Sequence, residues 1–210
     1  MRKIMYAVET GGMVYGNARY DAFTPAYKNS SRETAITIGA GQWFAYNAQN
    51  LLKTIRSTDP ATFAALDTAG IGTDLDTLNW TYYGGDGNGG RTIVAGSPKA
   101  VAIQNIISSD VGRAVQDMLM DQQTAQYVQA ALDLGVTDLK ARMFCANISH
   151  LGGSSAMKRV ISQTVAAGRA LTMENLYTTM RENRTATNVG ADLYNSRHVK
   201  IMGWLNQYIG

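Results

Sequence analysis

The stretch from Val111 to Leu132 has the strongest helical pattern of the chain, and it constrains the fold more than any other feature. Its apolar residues recur at spacings of three and four, which places them on one face of a long helix. They are Val111, Val115, Met118, Leu119, Ala125, Val128 and Leu132. Gly135 follows as the residue expected to end this helix. A chain organised around such a helix is predicted to be mostly α-helical.

Further helical segments are predicted on both sides of this one. On its N-terminal side they run from about 42 to 57, from Thr58-Asp59-Pro60 onward and from Ser97-Pro98 onward. On its C-terminal side they run from Thr137-Asp138 to Gly152-Gly153, then over about 154–167, 172–183 and 190–208. Proline near the first turn, with Ser, Thr or Asp beside it, is typical of helix starts. The glycine-rich segment 70–96 is predicted to be irregular.

The N-terminus predicts a short helix that ends at an acidic residue. Ile4, Ala7 and Val8 are spaced so that they share one helical face. Glu9 then lies at the last turn, and Gly11-Gly12 is expected to end the helix.

Residues 13–36 have no helical period and contain several turn-forming residues, so they predict a hairpin or small β lobe. The last strand of that lobe alternates. One predicted face carries Thr34, Ile36 and Ile38, and the other carries Glu33, Ala35 and Thr37. Because the second face is the more polar, we expect Glu33 and Thr37 to line a cleft.

Length and composition fit one globular domain. The chain has 210 residues, of which 45% are hydrophobic and 17% charged, and such a length buries about 70% of the unfolded surface. No linker or internal repeat divides it, and no apolar run approaches the ~18 residues of a membrane span. We therefore expect a single α+β domain over residues 1–210, mostly α, with a small N-terminal β-hairpin lobe and no membrane insertion.

Few residues suit metal, redox or nucleic-acid chemistry. Cys145 is the one cysteine, which excludes an internal disulfide, and its apolar neighbours predict a buried, inert thiol. Only two histidines, His150 and His198, are present, which disfavours a zinc site. The net charge of +3 comes without a basic cluster of the kind that binds nucleic acid. We expect no metal, no cofactor and no nucleic-acid partner.

Two motifs carry a resemblance to enzymes that cleave glycans. Val8-Glu9-Thr10-Gly11-Gly12 ends the first helix, and Thr37-Ile38-Gly39-Ala40-Gly41-Gln42-Trp43 follows the hairpin. Together they resemble the catalytic start of the lysozyme-like superfamily, nearest to phage-type lysozymes (endolysins). They have a secondary resemblance to lytic transglycosylases and chitosanases. The resemblance implies a lysozyme-like helical domain and cleavage of the β-1,4 glycan of peptidoglycan. Residues 59–135 match no motif of these families.

The resemblance implies that Glu9 is the general acid that protonates the departing glycosidic oxygen. Such an acid must keep its proton near neutral pH, and the apolar residues before Glu9 suit the partly desolvated site this requires. Thr37 is implied to order the water or the sugar ring. The second carboxylate stays open between Asp21, which resembles the family's tyrosine-flanked aspartate, and Glu33. In a third alternative, as in lytic transglycosylases, no second carboxylate acts.

Four further residues are predicted to contact the substrate. Gln42 and Tyr46 follow the hairpin, where an amide can hydrogen-bond a sugar and an aromatic ring can stack on it. Asn147 and His150 lie in 141–155, which looks like the family's Phe-Asn-x-Gly helix end, and their spacing puts them on one face. The alternative for His150 is a cap on the last carbonyls of its helix.

Two other residues near these motifs are expected to be structural. Trp43 is predicted to pack the β lobe against a helix. Arg197 ends Leu193-Tyr194-Asn195-Ser196-Arg197, which resembles the late Leu-x-x-Arg-Arg element of phage lysozymes with one arginine retained.

The expected partner is bacterial peptidoglycan, and the chain is expected to act as a monomer. Residues 1–9 reach an acidic residue too early for a secretory signal. We therefore expect synthesis in the cytoplasm and action on the cell wall after release or phage delivery. Two alternatives stay open: a lytic transglycosylase forming 1,6-anhydro products, and a non-catalytic cell-wall-binding or phage structural domain.

Overall fold

The computed structural model describes residues 1–86, 92–183 and 195–209, and helices dominate it. The helices are α1 (Arg2–Thr10), α2 (Tyr46–Thr58), α3 (Pro60–Leu66), α4 (Ile71–Thr77), α5 (Pro98–Ser108), α6 (Asp110–Asp133), α7 (Leu139–Ala166), α8 (Met173–Glu182) and α9 (Asn195–Tyr208). Among the described residues the strands are β1 (Phe23–Thr24), β2 (Thr37–Ile38) and β3 (Trp43–Phe44), which form one antiparallel sheet in that order. The predicted α+β class, mostly α with a small N-terminal sheet, is confirmed.

Side-chain caps fix four of the predicted helix starts. Asp59, Ser97, Asp138 and Thr172 each accept a hydrogen bond from the backbone N–H three residues later, at the starts of α3, α5, α7 and α8. The predicted break at Gly152-Gly153 is also present, because Gly153 has φ +77° and ψ +167° inside α7. These signals are local, which is why the sequence alone identifies them.

Two predictions of local structure are wrong. The segment from Gln42 does not begin a helix: Gln42 and Ala45 have φ of +51° and +52°, and the residues between them form β3. Segment 70–96 is not wholly irregular, because it contains α4 and a 3₁₀ turn at Trp80–Tyr82. The predictions for Gly87–Gly90, for the helix start near 190 and for Leu193-Tyr194 lie outside the described residues.

The predicted cleft face of the last hairpin strand is also corrected. Only Thr37 and Ile38 form β2, and every side chain from Ala35 to Ile38 is buried. Thr37 itself is 8% exposed. Because the extended segment is covered on both faces, its alternation does not separate a core face from an open one.

The chain divides into two compact units. The first comprises Met1–Val8 and the residues from Asp121 onward, and the second comprises Glu9–Met120. In the first unit α8 and α9 pack against α7 around a buried apolar core. Its members include Phe144, Ile148, Val160, Leu176, Met180, Ile201 and Leu205. The sheet, α2 to α5 and the first part of α6 belong to the second unit. The predicted single domain over 1–210 stays a prediction.

A buried charge holds α4 and the following 3₁₀ turn in place within the second unit. Asp74 in α4 is 5% exposed, pairs with the ammonium of Lys99, and accepts a hydrogen bond of 2.7 Å from the Tyr83 hydroxyl. The Tyr83 ring stacks on Trp80 at 3.9 Å between ring centroids. Burial and the hydrogen bond to Asp74 raise the pKa of Tyr83. A buried carboxylate that lost these partners would be strongly destabilising, so this cluster fixes α4 and the 3₁₀ turn against α5.

A buried glutamine joins α6 to the β lobe. Gln116 is 0% exposed, and its Oε1 accepts a hydrogen bond of 2.8 Å from the Ala40 N–H. Its Nε2 donates to the carbonyl of Ile107 at 2.7 Å and to that of Tyr20 at 3.2 Å. Ile107 lies in the last turn of α5, where carbonyls have no partner within the helix. One side chain therefore satisfies main-chain groups of three separate segments.

We expect Gln116→Leu to lower the free energy of unfolding by about 3 kcal/mol or more, because three main-chain groups lose their partner and two of these hydrogen bonds are buried. Urea denaturation measures the change. The matched control is Gln126→Leu on the exposed surface of α6, where the same substitution should change the free energy by about 0.5 kcal/mol or less. Equal effects of the two substitutions would contradict the assigned role of Gln116.

Candidate functional site

A polar pocket of the second unit lies at Asp21. The main chain at this position is held from two helices, because Gln104 of α5 donates to the carbonyl of Asp21 at 3.0 Å and Gln116 of α6 donates to that of Tyr20. The next carbonyl, of Ala22, accepts a hydrogen bond of 2.8 Å from the N–H of Gly39. The backbone on both sides of Asp21 is therefore fixed.

The side chain of Asp21, in contrast, faces solvent. Its Oδ1 accepts a hydrogen bond of 3.2 Å from Nε of Arg19, and the two side chains are 50% and 61% exposed. An ion pair this exposed contributes little to stability and exchanges readily with water. The carboxylate is thus positioned by its backbone and is free to meet a ligand.

Asp21 lines a pocket of about 490 Å³. The other lining residues are Asn17, Ala18, Tyr20, Ser108 and Arg113. The volume lies within the range usual for small-molecule sites, and polar side chains predominate on the walls. Such a pocket suits a hydroxylated ligand better than an apolar one.

The sheet connects the pocket to the motif around Thr37. Phe23 pairs with Ile38 and Thr24 with Thr37, so the strand that follows Asp21 runs beside the one that carries Thr37. Gln42 turns back on this sheet: its amide nitrogen donates to the carbonyl of Gly39 at 3.0 Å. The structure therefore brings Asp21, Thr37 and Gln42 into one β lobe, with Thr37 buried and Gln42 half-buried.

Gly39 is required at the turn after β2. Its φ is +75°, which L side chains rarely adopt, and a Cβ there would lie 2.5 Å from Oε1 of Gln116. The glycine of the Thr37-Ile38-Gly39 motif thus makes the approach of Gln116 possible. Its role in this chain is structural, through the contact with α6.

Glu33 differs from Asp21 in its surroundings. It is half-buried in the hairpin, where its carbonyl accepts a hydrogen bond of 2.7 Å from the N–H of Tyr27. One of its carboxylate oxygens, Oε2, is buried and has no hydrogen-bond partner within the described part of the chain. Glu33 does not line the pocket that contains Asp21. The two predicted alternatives for the second carboxylate are therefore not equivalent in the structure.

Glu9 lies in the last turn of α1, as predicted, and is partly buried. Gly11 follows with φ +69°, and no atom lies within 4 Å of where a Cβ would stand at Gly11 or Gly12. The backbone just beyond Glu9 is consequently open. By packing, Glu9 belongs to the same compact unit as Asp21 and Thr37.

Tyr46, predicted to contact substrate, is the first residue of α2 and is 59% exposed. Its hydroxyl donates to Oδ1 of Asn79 at 3.1 Å, which holds the ring near the 3₁₀ turn. An exposed ring held at its hydroxyl end can stack on a sugar face without much further loss of side-chain entropy.

Asn147 occupies a different environment from the one predicted. It is 0% exposed in α7, where its Oδ1 accepts a hydrogen bond of 2.9 Å from Nε of Arg197. Its Nδ2 lies 3.3 Å from Nδ1 of His198. Asn147 is therefore part of the interior of the first unit, which does not favour the predicted contact with substrate. His150 is partly buried one turn later, and the expected structural role of Arg197 agrees with its bond to Asn147.

The bond from Arg197 also determines the state of His198. Because Oδ1 of Asn147 accepts from Arg197, Nδ2 must face the histidine and donate to Nδ1, so the ring proton lies on Nε2. The Phe144 ring stands edge-on at 5.8 Å from the imidazole. Burial, and secondarily the charge of Arg197, lower the pKa of His198 to about 4, so the ring stays neutral.

The cysteine of the chain lies in the interior. Cys145 is buried, and burial raises the pKa of its thiol to about 12, as expected for an inert cysteine. Within residues 1–86, 92–183 and 195–209, no three His, Cys, Asp or Glu side chains cluster as a metal site would require. No helix in these same ranges combines the length and the apolarity that crossing a membrane requires.

Sequence reasoning missed Asn17, Ser108 and Arg113, which line the pocket. It also missed Gln104 and Gln116, which bond to the main chain at Asp21 and Tyr20. The two glutamines bond to residues 83 and 96 positions away, and the pocket brings Asn17 beside Ser108 and Arg113 from a distant part of the chain, so no local pattern identifies these residues. Arg113 alone gives a weak signal: a cation in the first turn of a helix opposes the helix dipole and therefore suggests a role other than helix stability.

We expect the stability of the protein to fall as the pH is lowered from about 6.5 to about 4, because His198 is held neutral. Its folded pKa of about 4 lies below the ordinary value of 6.5, so the unfolded chain takes up the proton first. The loss amounts to about 3 kcal/mol over that window, and the contribution is fully present above pH 6.5.

Urea denaturation at several pH values, compared with His198→Gln, isolates this contribution. The wild-type curve should fall relative to the variant as pH decreases, whereas Gln126→Leu on the exposed surface of α6 should keep the wild-type dependence. Parallel curves for wild type and His198→Gln would contradict the assignment.

Comparisons of the chain with known protein families, with characterised proteins and with solved structures find no match. A function must therefore be argued from the residues of the site and from the lysozyme-like motifs in the sequence.

Proposed function

We propose that the chain cleaves β-1,4 glycosidic bonds in the glycan of peptidoglycan, with Glu9 as proton donor and Asp21 as the second carboxylate. The observation that carries the proposal is the pocket at Asp21. A carboxylate singled out by the lysozyme-like motifs lines a polar pocket of about 490 Å³, in the same compact unit as Glu9 and Thr37. A site of this size and polarity suits one or two sugar rings.

The position of Glu9 suits a general acid. Its carboxyl group is partly buried at the C-terminal end of α1, where the negative end of the helix dipole disfavours a second negative charge. Gly11 and Gly12 leave the adjacent backbone open for a bulky substrate. A carboxylic acid beside an open surface can deliver a proton to the departing glycosidic oxygen.

Asp21 suits the second role better than Glu33. Its backbone is held by hydrogen bonds from α5 and α6, and its carboxylate faces a pocket with one oxygen on Arg19. A carboxylate so placed can position water or stabilise the positive charge that develops on the sugar ring. Glu33 has one oxygen buried and lines no part of that pocket.

Replacing Glu9 by Gln should slow the release of fragments from purified peptidoglycan by at least ~100-fold, because the amide keeps the shape of the side chain and cannot donate the required proton. The rate is followed as loss of turbidity, and mass spectrometry identifies the fragments. The matched control is Glu174→Gln on the exposed surface of α8, which should leave the rate unchanged.

The products distinguish the remaining alternatives. Reducing ends identify a hydrolase, whereas 1,6-anhydro ends identify a lytic transglycosylase. If the wild type binds peptidoglycan and releases no fragments, the enzymatic proposal fails and the chain is a binding domain.

Asp21→Asn should lower kcat by roughly tenfold or more, whereas Glu33→Gln should change it by less than about twofold. The Asn variant should stay folded, because the ion pair it loses with Arg19 is exposed. Steady-state rates on peptidoglycan and thermal unfolding of both variants make the comparison. A large loss with Glu33→Gln and none with Asp21→Asn would assign the second role to Glu33.

A further inference from the structure

The last helix, α9, is attached to the first unit by a stripe of buried side chains that includes a histidine. α9 packs against α7. As far as the structure describes α9, its buried side chains are His198, Ile201 and Leu205, each 0% exposed. The burial of Ile201 and Leu205 contributes free energy that does not change with pH, whereas the contribution of an imidazole depends on its charge. The attachment of α9 therefore includes one group that can titrate.

The hydrogen bonds around His198 leave no place for a second ring proton. Oδ1 of Asn147 accepts from Nε of Arg197 at 2.9 Å, so Nδ2 of Asn147 donates to Nδ1 of the imidazole, 3.3 Å away. A proton on Nδ1 would set two donors against each other. Turning the Asn147 amide over does not relieve this conflict, because Nδ2 would then face the Nε–H of Arg197, which is also a donor.

The other ring nitrogen offers no compensation. Nε2 of His198 is buried, and it has no hydrogen-bond partner within residues 1–86, 92–183 and 195–209. The neutral ring thus has one unsatisfied donor, and the imidazolium would have two, together with a buried charge. A buried donor without a partner costs free energy, and a buried charge without a partner costs more.

The charges around His198 also oppose protonation. In the described part of the molecule, Arg197 is the charged group that acts on the ring, and α7 faces the ring with Asn147 and with Phe144, which do not titrate. The sequence of α9 contains no Asp or Glu, and its other cation is Lys200. Burial first, and Arg197 second, lower the pKa of His198 to about 4. Among the described residues, no anion therefore balances the imidazolium while α9 is docked.

We propose that protonation of His198 releases α9 from α7, so that acid detaches this helix while the rest of the first unit stays folded. Release places the ring in water, where both N–H groups find partners and the charge is solvated. The opposing cost of release is the exposure of the stripe at Ile201 and Leu205, whereas complete unfolding exposes the whole apolar core of the unit. Opening of one helix is consequently the less costly response.

Amide hydrogen exchange of the full chain at about pH 7.5 and about pH 5, followed by mass spectrometry and corrected for intrinsic exchange rates, tests the proposal. The opening constant of the α9 amides should rise about 30-fold between the two pH values, as expected for a pKa of about 4 in the docked helix and 6.5 in the released one. The α9 amides should also exchange ahead of the core amides of α7, because their opening does not require the unit to unfold.

Two substitutions separate the titration from a loss of packing. His198→Gln keeps an acceptor for Asn147 and takes up no proton, so the opening constant of α9 should be the same at both pH values. Asn147→Asp supplies a carboxylate that accepts from Arg197 and from the protonated ring, so acid should no longer detach the helix. The matched control is Lys200→Gln, which removes a cation from the exposed face of α9 and should keep the wild-type rise.

Three results would overturn the proposal. The first is an opening constant of wild-type α9 that does not rise in acid, and the second is a full rise in His198→Gln or in Asn147→Asp. The third is equal protection of α9 and of the α7 core at both pH values, because His198 would then act on unfolding of the whole unit. Circular dichroism at the higher pH verifies that each variant is folded. Peptidoglycan is absent from these measurements, so their outcome is independent of the proposed function.

Discussion

Buried amide groups need a partner for every donor and acceptor, and in the Glu9–Met120 unit the Gln116 side chain serves three main-chain groups at once. Those groups lie 9, 76 and 96 residues away in sequence. Gln116 therefore holds three segments to one point on α6: the end of α5, the turn after β2 and the segment before β1. Apolar packing alone tolerates small shifts of such segments, whereas hydrogen-bond geometry does not. The position of Asp21 follows from this contact.

Local signals account for most of what the sequence predicts correctly. Helix periodicity, capping side chains such as Asp59 and Ser97, and the break at Gly153 act within a few residues, so they can be read without the tertiary structure. The failures have non-local causes. The segment around α4 is ordered by the buried Asp74 and its partner Lys99, which lies 25 residues later. Likewise, β3 forms because its strand pairs with β2, which overrides the helical spacing of the residues that follow.

The distinction between local signals and non-local contacts also applies to the candidate site. The lysozyme-like motifs single out Glu9, Asp21 and Thr37, and the structure places all three in one compact unit. The motifs do not separate Asp21 from Glu33, because both are hairpin carboxylates in the sequence and only burial and the pocket tell them apart. The contact of Asn147 with a substrate is predicted from a resemblance to the family's helix end and from helical spacing. That spacing cannot distinguish a surface from the interior of a helix pair, where Arg197 satisfies its amide oxygen.

The pocket at Asp21 combines a backbone held by hydrogen bonds with exposed polar side chains. This combination has a consequence for the affinity of a ligand. Each exposed hydroxyl or amide contact replaces a contact with water, so it adds little net affinity and mainly orients the ligand. A charge-assisted pair on a preoriented guanidinium adds more, because the bonds to a charged partner are stronger than those they replace. Affinity for a ligand must then come mainly from the charged side chains that line the pocket, Asp21 and Arg113, whereas the neutral side chains orient the ligand.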